Sequence, residues 1–339
     1  MKKKKKISMK DISKELGISI TTISFIINKK AENKISKEVI KKVEDYIEKV
    51  GYKPNSSAQS LRTGKSKTIV FMAEDISDPF FSAIAKQMEE IAFNNGYKII
   101  YCSTENKKER AIELLNLFKD RQVDAFIITP PEGFEDELKR LIYEEHQMVM
   151  VFDRYFDSFK HNYVVLENYK GAEEATRSLY SSGKRKIAFI GIESNLSPLV
   201  QRLEGYKNTM NSYQLQEYSL LIKFDQIKTL EGQKAIKNFL AQNPEIDAIL
   251  FATNNLAISG LRVIKSKGLK IPEDIAIISF DDRDIFELFT PPISVIAQPV
   301  PELANELIKG TLQLMKTKET REVFYQKVLK GKLINRKSN

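Results

Sequence analysis

The chain has no tryptophan, one cysteine and two histidines among its 339 residues. With Cys102 alone, an intrachain disulfide is impossible and a cluster of thiolate metal ligands is excluded. His146 and His161 are too few for a metal site built on imidazole. Neither a metal nor a cofactor is therefore expected. No apolar run approaches the roughly 20 residues of a membrane span. The lysines of residues 1–6 carry the charge of a secretion signal, but polar and charged residues follow where an apolar run is required. A cytoplasmic location away from membranes is the expectation. Also missing are a Gly-Xaa-Ser-Xaa-Gly elbow, a Walker loop, a Gly-Xaa-Gly-Xaa-Xaa-Gly turn and a His-Glu-Xaa-Xaa-His helix. The neighbouring carboxylates Asp281 and Asp282 have no nucleophile or metal ligand beside them in sequence. Binding without turnover is expected, and no catalytic residue is assigned.

What is abundant is positive charge, and it is unevenly spread. The net charge is +9, yet residues 1–67 hold 18 Lys and Arg against 7 Asp and Glu, whereas the remainder holds 36 against 38. A basic module on a near-neutral body points to a dedicated nucleic-acid end. Residues 2–6 alone also fit a solubilising tail.

Within that module the stretch Leu16 to Asn28 organises the rest. A turn at Gly17 separates a short amphipathic segment, marked by Ile12 and Leu16, from a second with Ile23, Ile26 and Ile27 at i, i+3 and i+4. This is the pattern of a helix-turn-helix. Ser8 with Asp11 reads as a capping box, and Ser19 as the cap of the second helix. Ile20, Thr21, Ser24 and Phe25 fall off the apolar stripe, where they can reach base edges in a major groove. A third helix is expected from Ser36 to the stop at Gly51 and Pro54. The segment Asn55 to Arg62 then makes a helix too short to stand alone, because isolated helices below roughly 12–15 residues rarely offset nucleation.

From Thr68 apolar strands alternate with amphipathic helices. Strands are expected at Thr68 to Ala73, Lys98 to Cys102, Ala125 to Thr129 and Met148 to Phe152, with helices near Phe80 to Asn95, Lys108 to Asp120 and Glu135 to Glu145. After a strand at Val164 to Leu166 the rhythm restarts, with strands at Lys186 to Ile190, Leu220 to Phe224, Ala248 to Phe251 and Ile275 to Ser279. Between these strands lie helices ending near Ser182, spanning Leu199 to Tyr213 and Leu230 to Gln242, and ending near Lys267. A helix from Pro301 to Lys316 and a strand near Val323 to Leu329 close the chain. Two α/β layers follow, resembling each other in order more than in residue identity.

The segments Asp11 to Ser19, Thr22-Ile23-Ser24 to Asn28, Gly51-Tyr52-Lys53-Pro54-Asn55, Ala58 and Leu61-Arg62 together resemble the DNA-binding part of LacI/GalR-type bacterial transcription regulators. The resemblance runs on to the C-terminus. It implies an all-α helix-turn-helix domain (1–54), a hinge helix and linker (55–67), and an α/β body of two parallel-sheet lobes like periplasmic sugar-binding proteins (68–339). The lobes are expected at 68–163 with 297–320, and at 164–296 with 321–331. The implied function is a repressor with double-stranded, palindromic operator DNA, a homodimer, and a small carbohydrate effector in the cleft. A nucleobase or nucleoside is the alternative effector, and a solute-binding receptor without a DNA function the alternative reading of the chain.

By the same resemblance, base reading falls to Ile20, Thr21 and Phe25, in a DNA-facing set that also includes Ser19, Thr22, Ser24, Asn28, Asn55, Ala58, Gln59, Leu61 and Arg62. Phe25 stands where the family usually has Arg; it can meet a thymine methyl but not hydrogen-bond guanine. Packing against the third helix is its other reading. Gln59 likewise replaces an Arg, while Leu61 matches a minor-groove wedge. In the body, the loops at the strand ends collect aromatics, carboxylates, amides and Arg, which suits ring hydroxyls and C–H faces. The resemblance assigns effector binding to Arg202, Asn254, Asp281, Asp153 and the aromatic wall of Phe80 and Phe81. Phe81 is equally readable as core, Asp281 as a loop cap, and Arg202 as a surface partner of Glu204 or a nearby carboxylate.

Overall fold

A computed structural model describes residues 7–28, 30–31, 34–52, 64–316 and 324–339. The chain divides into two compact units, Met1–Ser66 and Lys67–Asn339.

In the first unit, α1 (Met9–Leu16) opens with the expected capping box. The Ser8 amide donates to Asp11 Oδ2 at 2.8 Å and the Asp11 amide to Ser8 Oγ at 3.3 Å. It stops at Gly17, whose φ of +68° is the left-handed conformation that glycine adopts without a Cβ penalty. Helix α2 (Ile20–Ile27) begins on Ser19, whose Oγ accepts from the Thr22 amide at 3.1 Å. Helix α3 (Lys37–Val50) is capped by Ser36 and ends on Gly51. The three helices close over Ile12, Ile23, Ile26, Ala31 and Val43. Ile23 and Ile26 are three residues apart, so they share a face of α2 and enter that core together.

The described residues of the second unit form two six-stranded sheets. The first contains β1 (Thr68–Ala73), β2 (Lys98–Ser103), β3 (Ala125–Ile128), β4 (Val149–Phe152), β5 (Tyr163–Leu166) and β11 (Gln326–Leu329), in spatial order β11-β5-β4-β3-β1-β2. The second contains β6 (Ile187–Ile192), β7 (Tyr218–Ile222), β8 (Ala248–Phe251), β9 (Ala276–Phe280), β10 (Ser294–Ala297) and β12 (Lys332–Ile334), in order β12-β10-β9-β8-β6-β7. All pairings are parallel except β10 with β12. The sheets repeat one strand order, which makes the likeness of the two layers a matter of topology.

Alternation along β1 explains why its whole run is apolar. Ile69, Phe71 and Ala73 face a core with α4 (Pro79–Asn94) and α11 (Val300–Lys316), whereas Val70 and Met72 face one with α5 (Lys108–Asp120). A strand covered on both faces has no solvent side to mark with polar residues. Around the second sheet lie α7 (Asn168–Ser181), α8 (Ser197–Ser212), α9 (Leu230–Gln242) and α10 (Asn254–Ser266).

Three features differ from the sequence reading. The strand at 163–166 pairs with β4 and so belongs to the first sheet, although the second lobe was expected to begin at 164. Gln326–Leu329 pairs with β5, again in the first sheet, where the reading gave 321–331 to the second. Strands β10 and β12 were not foreseen. The chain therefore passes between the sheets at 167, at 298–299 and at 330–331, and these connections are too short to carry a signature of their own. The helix expected over 135–145 is α6 (Glu135–Lys139), continued by a π-helical stretch Arg140–Glu144.

Candidate functional site

The chemistry falls in two places. On α2, the stripe Ile23 and Ile26 is buried, and Ile20 and Phe25 are each 39% exposed, with Ser19 and Thr21 also exposed. Phe25 stands outside the helical core, its ring 6.0 Å from Lys34 Nζ. Thr22, Ser24 and Asn28 are half-buried. Ser19 Oγ lies 2.8 Å from Thr22 Oγ1, and Asn28 Nδ2 donates to the Ser24 carbonyl at 2.6 Å, closing the end of α2. The exposed side of α2 thus mixes two apolar side chains with hydroxyls, on a backbone held at both ends. Asn55, Ala58, Gln59, Leu61 and Arg62, and with them the expected hinge helix, lie outside the described residues.

Because α2 starts on one side chain, Ser19→Ala is expected to cost about 1 kcal/mol of local stability. Amide exchange along α2 should then quicken roughly fivefold, with the second unit's exchange unchanged.

The other place is a cavity of about 380 Å³ in the second unit. Parallel strands present their carboxyl ends on one side, and loops from both sheets converge there. Phe80, Phe81, Asp153, Arg202, Asn254 and Asp281 all line this cavity. Phe80 stacks on Phe152 with ring centroids 5.8 Å apart and is half-buried, while Phe81 is both cavity wall and core. The helix carrying them starts at Asp78, whose Oδ1 accepts from the Phe80 amide at 2.9 Å.

Arg202, in the second turn of α8, is 4% exposed and has no surface partner. Its Nε donates to Asn168 Oδ1 at 2.8 Å and its Nη1 to the Ala252 carbonyl at 2.7 Å. The guanidinium lies 4.1 Å from the Phe280 ring centroid and 3.9 Å from Asp281 Oδ2. Asp281 accepts from Gln298 Nε2 at 2.6 Å through its other oxygen, a side-chain bond rather than a backbone cap. Asn254 opens α10 beside the capping Thr253 and accepts from Arg283 at 3.3 Å, which leaves its amide nitrogen for the cavity.

Asp153 and Asp281 occupy equivalent positions, each directly after its strand, β4 or β9, and each with positive φ, +69° and +66°. Left-handed backbone is unusual outside glycine and most accessible to Asn and Asp. The repeated conformation aims two carboxylates into one cavity from two sheets.

Burial pushes the Asp281 carboxyl above its ordinary value, against the opposing pull of Arg202. Burial likewise lowers Arg202, with Asp281 opposing; the guanidinium stays charged at any working pH. A hydroxyl donates more strongly to an ionised Asp281 than to the neutral acid, so affinity for a hydroxylated ligand held there should fall as pH drops through that raised value, before an ordinary Asp would titrate. Calorimetric titration between about pH 4 and 7 tests this, and Asp281→Asn should lose this part of the pH dependence.

Several residues at the cavity carried no assigned role in the sequence reading. Arg154 is buried, pairs with Glu74 and Asp153, and donates to Asn106 and to the Pro130 carbonyl. Burial alone would lower it, but Glu74 and Asp153 outweigh that and raise it. Asn255 Nδ2 donates to Asp78 Oδ2 at 3.0 Å and Lys228 Nζ to Asp75 Oδ2 at 3.1 Å, each joining one lobe to the other. The Tyr155 amide and Ser197 Oγ do the same at 3.1 Å. Asp75, Asp78, Arg154 and Asn255 sit in the strand-end loops, which was their only signal. Lys228, ahead of α9, had none.

Among the described residues no cluster of His, Cys, Asp and Glu is arranged to hold a metal ion, and no helix is long and apolar enough to cross a membrane. Comparison with known proteins agrees with this division of labour. Residues 8–55 match bacterial regulatory proteins of the lacI family, and residues 65–322 match the periplasmic binding proteins and sugar binding domain of LacI family. The HTH-type transcriptional regulator RegA of Clostridium saccharobutylicum is 30% identical over 333 residues, covering 98% of each chain. A lac repressor dimer bound to operator and an anti-inducer has the same fold, with a TM-score of 0.85 at 21% identity, over 98% of this chain and 99% of that one. A LacI family regulator from Enterococcus faecium with bound ribose is 25% identical, with a TM-score of 0.69 over 80% of this chain and 98% of that one. A receptor without a DNA function would not carry the match over residues 8–55. A helix-turn-helix unit followed by two parallel sheets around one cavity, matched in both parts, places the chain in the LacI family of bacterial regulatory proteins.

Proposed function

We propose that this transcription regulator is a repressor that reads palindromic operator DNA as a homodimer, and that a carbohydrate in the cavity of its second unit sets its DNA affinity. The observation that carries the effector half is the convergence of Phe80, Phe81, Asp153, Arg202, Asn254 and Asp281 on one cavity. Flat apolar faces suit the C–H surface of a sugar ring, while carboxylates, an amide and a guanidinium suit its hydroxyls. A cavity near the small end of the roughly 300–1,000 Å³ of ligand pockets holds one ring better than several. The regulator from Enterococcus faecium carries ribose, which supports this class of ligand.

The DNA half rests on the basic first unit and on the exposed side of α2. Ile20, Thr21 and Phe25 would meet base edges, with Phe25 favouring a thymine methyl, and Ser19, Thr22 and Ser24 would meet the backbone. Two such units related by a twofold axis require two half-sites, which is why the operator should be palindromic. Effector binding alters DNA affinity only to the extent that the sugar binds the two conformations differently.

The full-length chain tests both halves together. Fluorescence anisotropy with operator duplex should show affinity falling roughly 10³–10⁵-fold between 50 and 200 mM salt if about 6–10 phosphates are contacted. A thermal-shift screen of pentoses, hexoses, disaccharides and nucleosides should yield a stabilising ligand, by about 2.7 kcal/mol at 100 times its Kd. That ligand should also move the anisotropy midpoint. A ligand that stabilises the chain but leaves DNA affinity unchanged would refute the coupling.

A further inference from the structure

We infer that the cavity takes an uncharged, polyhydroxylated ligand of monosaccharide size and turns away the phosphorylated and carboxylated forms of the same sugar; this rests on the reading of the cavity as the effector site. Among the described residues its wall carries seven carboxylates and four cations. Every one of the cations is already engaged. Arg154 is held by Glu74 and Asp153, Arg202 lies beside Asp281, Lys228 pairs with Asp75 at 3.1 Å, and Lys107 pairs with Glu105 at 3.2 Å. Asp78 and Asp225 have no cation of their own among the described residues. An anion entering here finds an excess of its own charge and no unpaired cation.

The hydrogen-bonding capacity left over agrees with the charge. Asp153 Oδ1 accepts nothing from the described residues, and Asp281 Oδ2 has only the guanidinium 3.9 Å away. On the donor side, Arg202 Nη2 and Asn254 Nδ2 are left over once Asn168, the Ala252 carbonyl and Arg283 have taken their share. A carboxylate can only accept, and a guanidinium can only donate. A hydroxyl does both, so a ring bearing several of them satisfies both sets. A phosphate or carboxylate offers acceptors alone and would set lone pairs against Asp153 and Asp281.

Two unit charges of like sign about 6 Å apart, at an effective dielectric near 20, weaken binding by roughly 100-fold. Cations elsewhere on the chain do not relieve this, because screening limits their reach to about 10 Å at ordinary salt.

The test is calorimetric titration of the full-length chain with matched pairs: ribose and ribose 5-phosphate, glucose and glucose 6-phosphate, galactose and galacturonate. At least one neutral parent should bind, and its anionic partner should bind roughly 100-fold more weakly. Asp225→Lys, which places an unpaired cation on the wall, should narrow that ratio. An anionic member binding as tightly as its parent, or more tightly, overturns the inference while leaving the cavity an effector site. Binding of a free purine or pyrimidine in place of any sugar also overturns it. If no member of any pair binds while the chain still binds duplex DNA, the carbohydrate reading itself fails and the inference falls with it.

Discussion

Arg202→Ala should abolish the effector response and weaken the second unit by about 3–5 kcal/mol, the usual effect of leaving one member of a buried charged pair behind. The side chain is central to three contacts. It supports Asn168 at the start of α7, the Ala252 carbonyl at the end of β8, and the charge of Asp281. Removing it takes the donor from two buried acceptors, Asn168 Oδ1 and the Ala252 carbonyl, and leaves Asp281 with Gln298 alone. Urea denaturation should show a lower midpoint with an unchanged slope. Arg202→Lys distinguishes charge from geometry. A lysine restores a cation near Asp281, but a single ammonium cannot reproduce the planar fork that reaches Asn168 and Ala252 together. Stability should recover in part while ligand binding remains lost. Combining Arg202→Ala with Asp281→Asn should cost less than the sum of the two, because neutralising Asp281 removes the stranded charge. A stability change within about 0.5 kcal/mol for Arg202→Ala would show that the pair is not a structural support.

Gly205→Val is expected to be among the most damaging substitutions in the body away from the cavity wall. A Cβ at this position would stand 2.3 Å from the Tyr169 carbonyl oxygen and 3.0 Å from Ala172 Cβ. The obstruction is helix backbone, which cannot rotate aside, so α7 and α8 must separate. Overpacking generally costs about 1–3 kcal/mol and occasionally more; a clash with backbone belongs at the upper end. The consequence reaches the cavity, since Asn168 belongs to α7 and Arg202 to α8, and their 2.8 Å bond spans the interface being forced open. Thermal unfolding and effector titration should therefore fail together. Glu204→Ala, one residue away on the exposed side of α8, is the control, with an expected change within about 0.5 kcal/mol. Should Gly205→Val bind effector normally, the dependence of Arg202 on close helix packing would be wrong.

The helix-turn-helix was readable because its signals are local. Ser8, Ser19 and Ser36 each cap the helix that follows, Gly17 and Gly51 end the helices before them, and Ile23 and Ile26 repeat at helical spacing. Each of these depends on residues within four positions along the chain. Strands such as Thr68–Ala73 and Ala248–Phe251 were readable for the same reason, since an unbroken apolar run bounded by polar loops has few other uses. Strand-end position and resemblance name the six cavity residues, and the structure brings them to one cavity from both sheets.

Other features depended on partners far away in sequence. Whether Tyr163–Leu166 joins the first or second sheet is decided by the hydrogen bonds it makes to β4 and to β11, more than 150 residues downstream in the latter case. Strand Ser294–Ala297 is four residues long and owes its existence to β9 on one side and β12 on the other. The left-handed backbone of Asp153 and Asp281 carries no sequence mark, because Asp is also at home in ordinary loops. By itself the sequence determined the two kinds of unit, the basic helix-turn-helix and the α/β body, along with the residue types gathered at the strand ends, because caps, periodicity and apolar runs act over a few residues. Tertiary structure alone decided which sheet each crossing segment joins, that Arg202 is buried against Phe280 and Asp281 rather than exposed beside Glu204, and that each cation at the cavity is already paired. Those outcomes follow from nonlocal hydrogen bonds and desolvation, which exist only once distant segments meet.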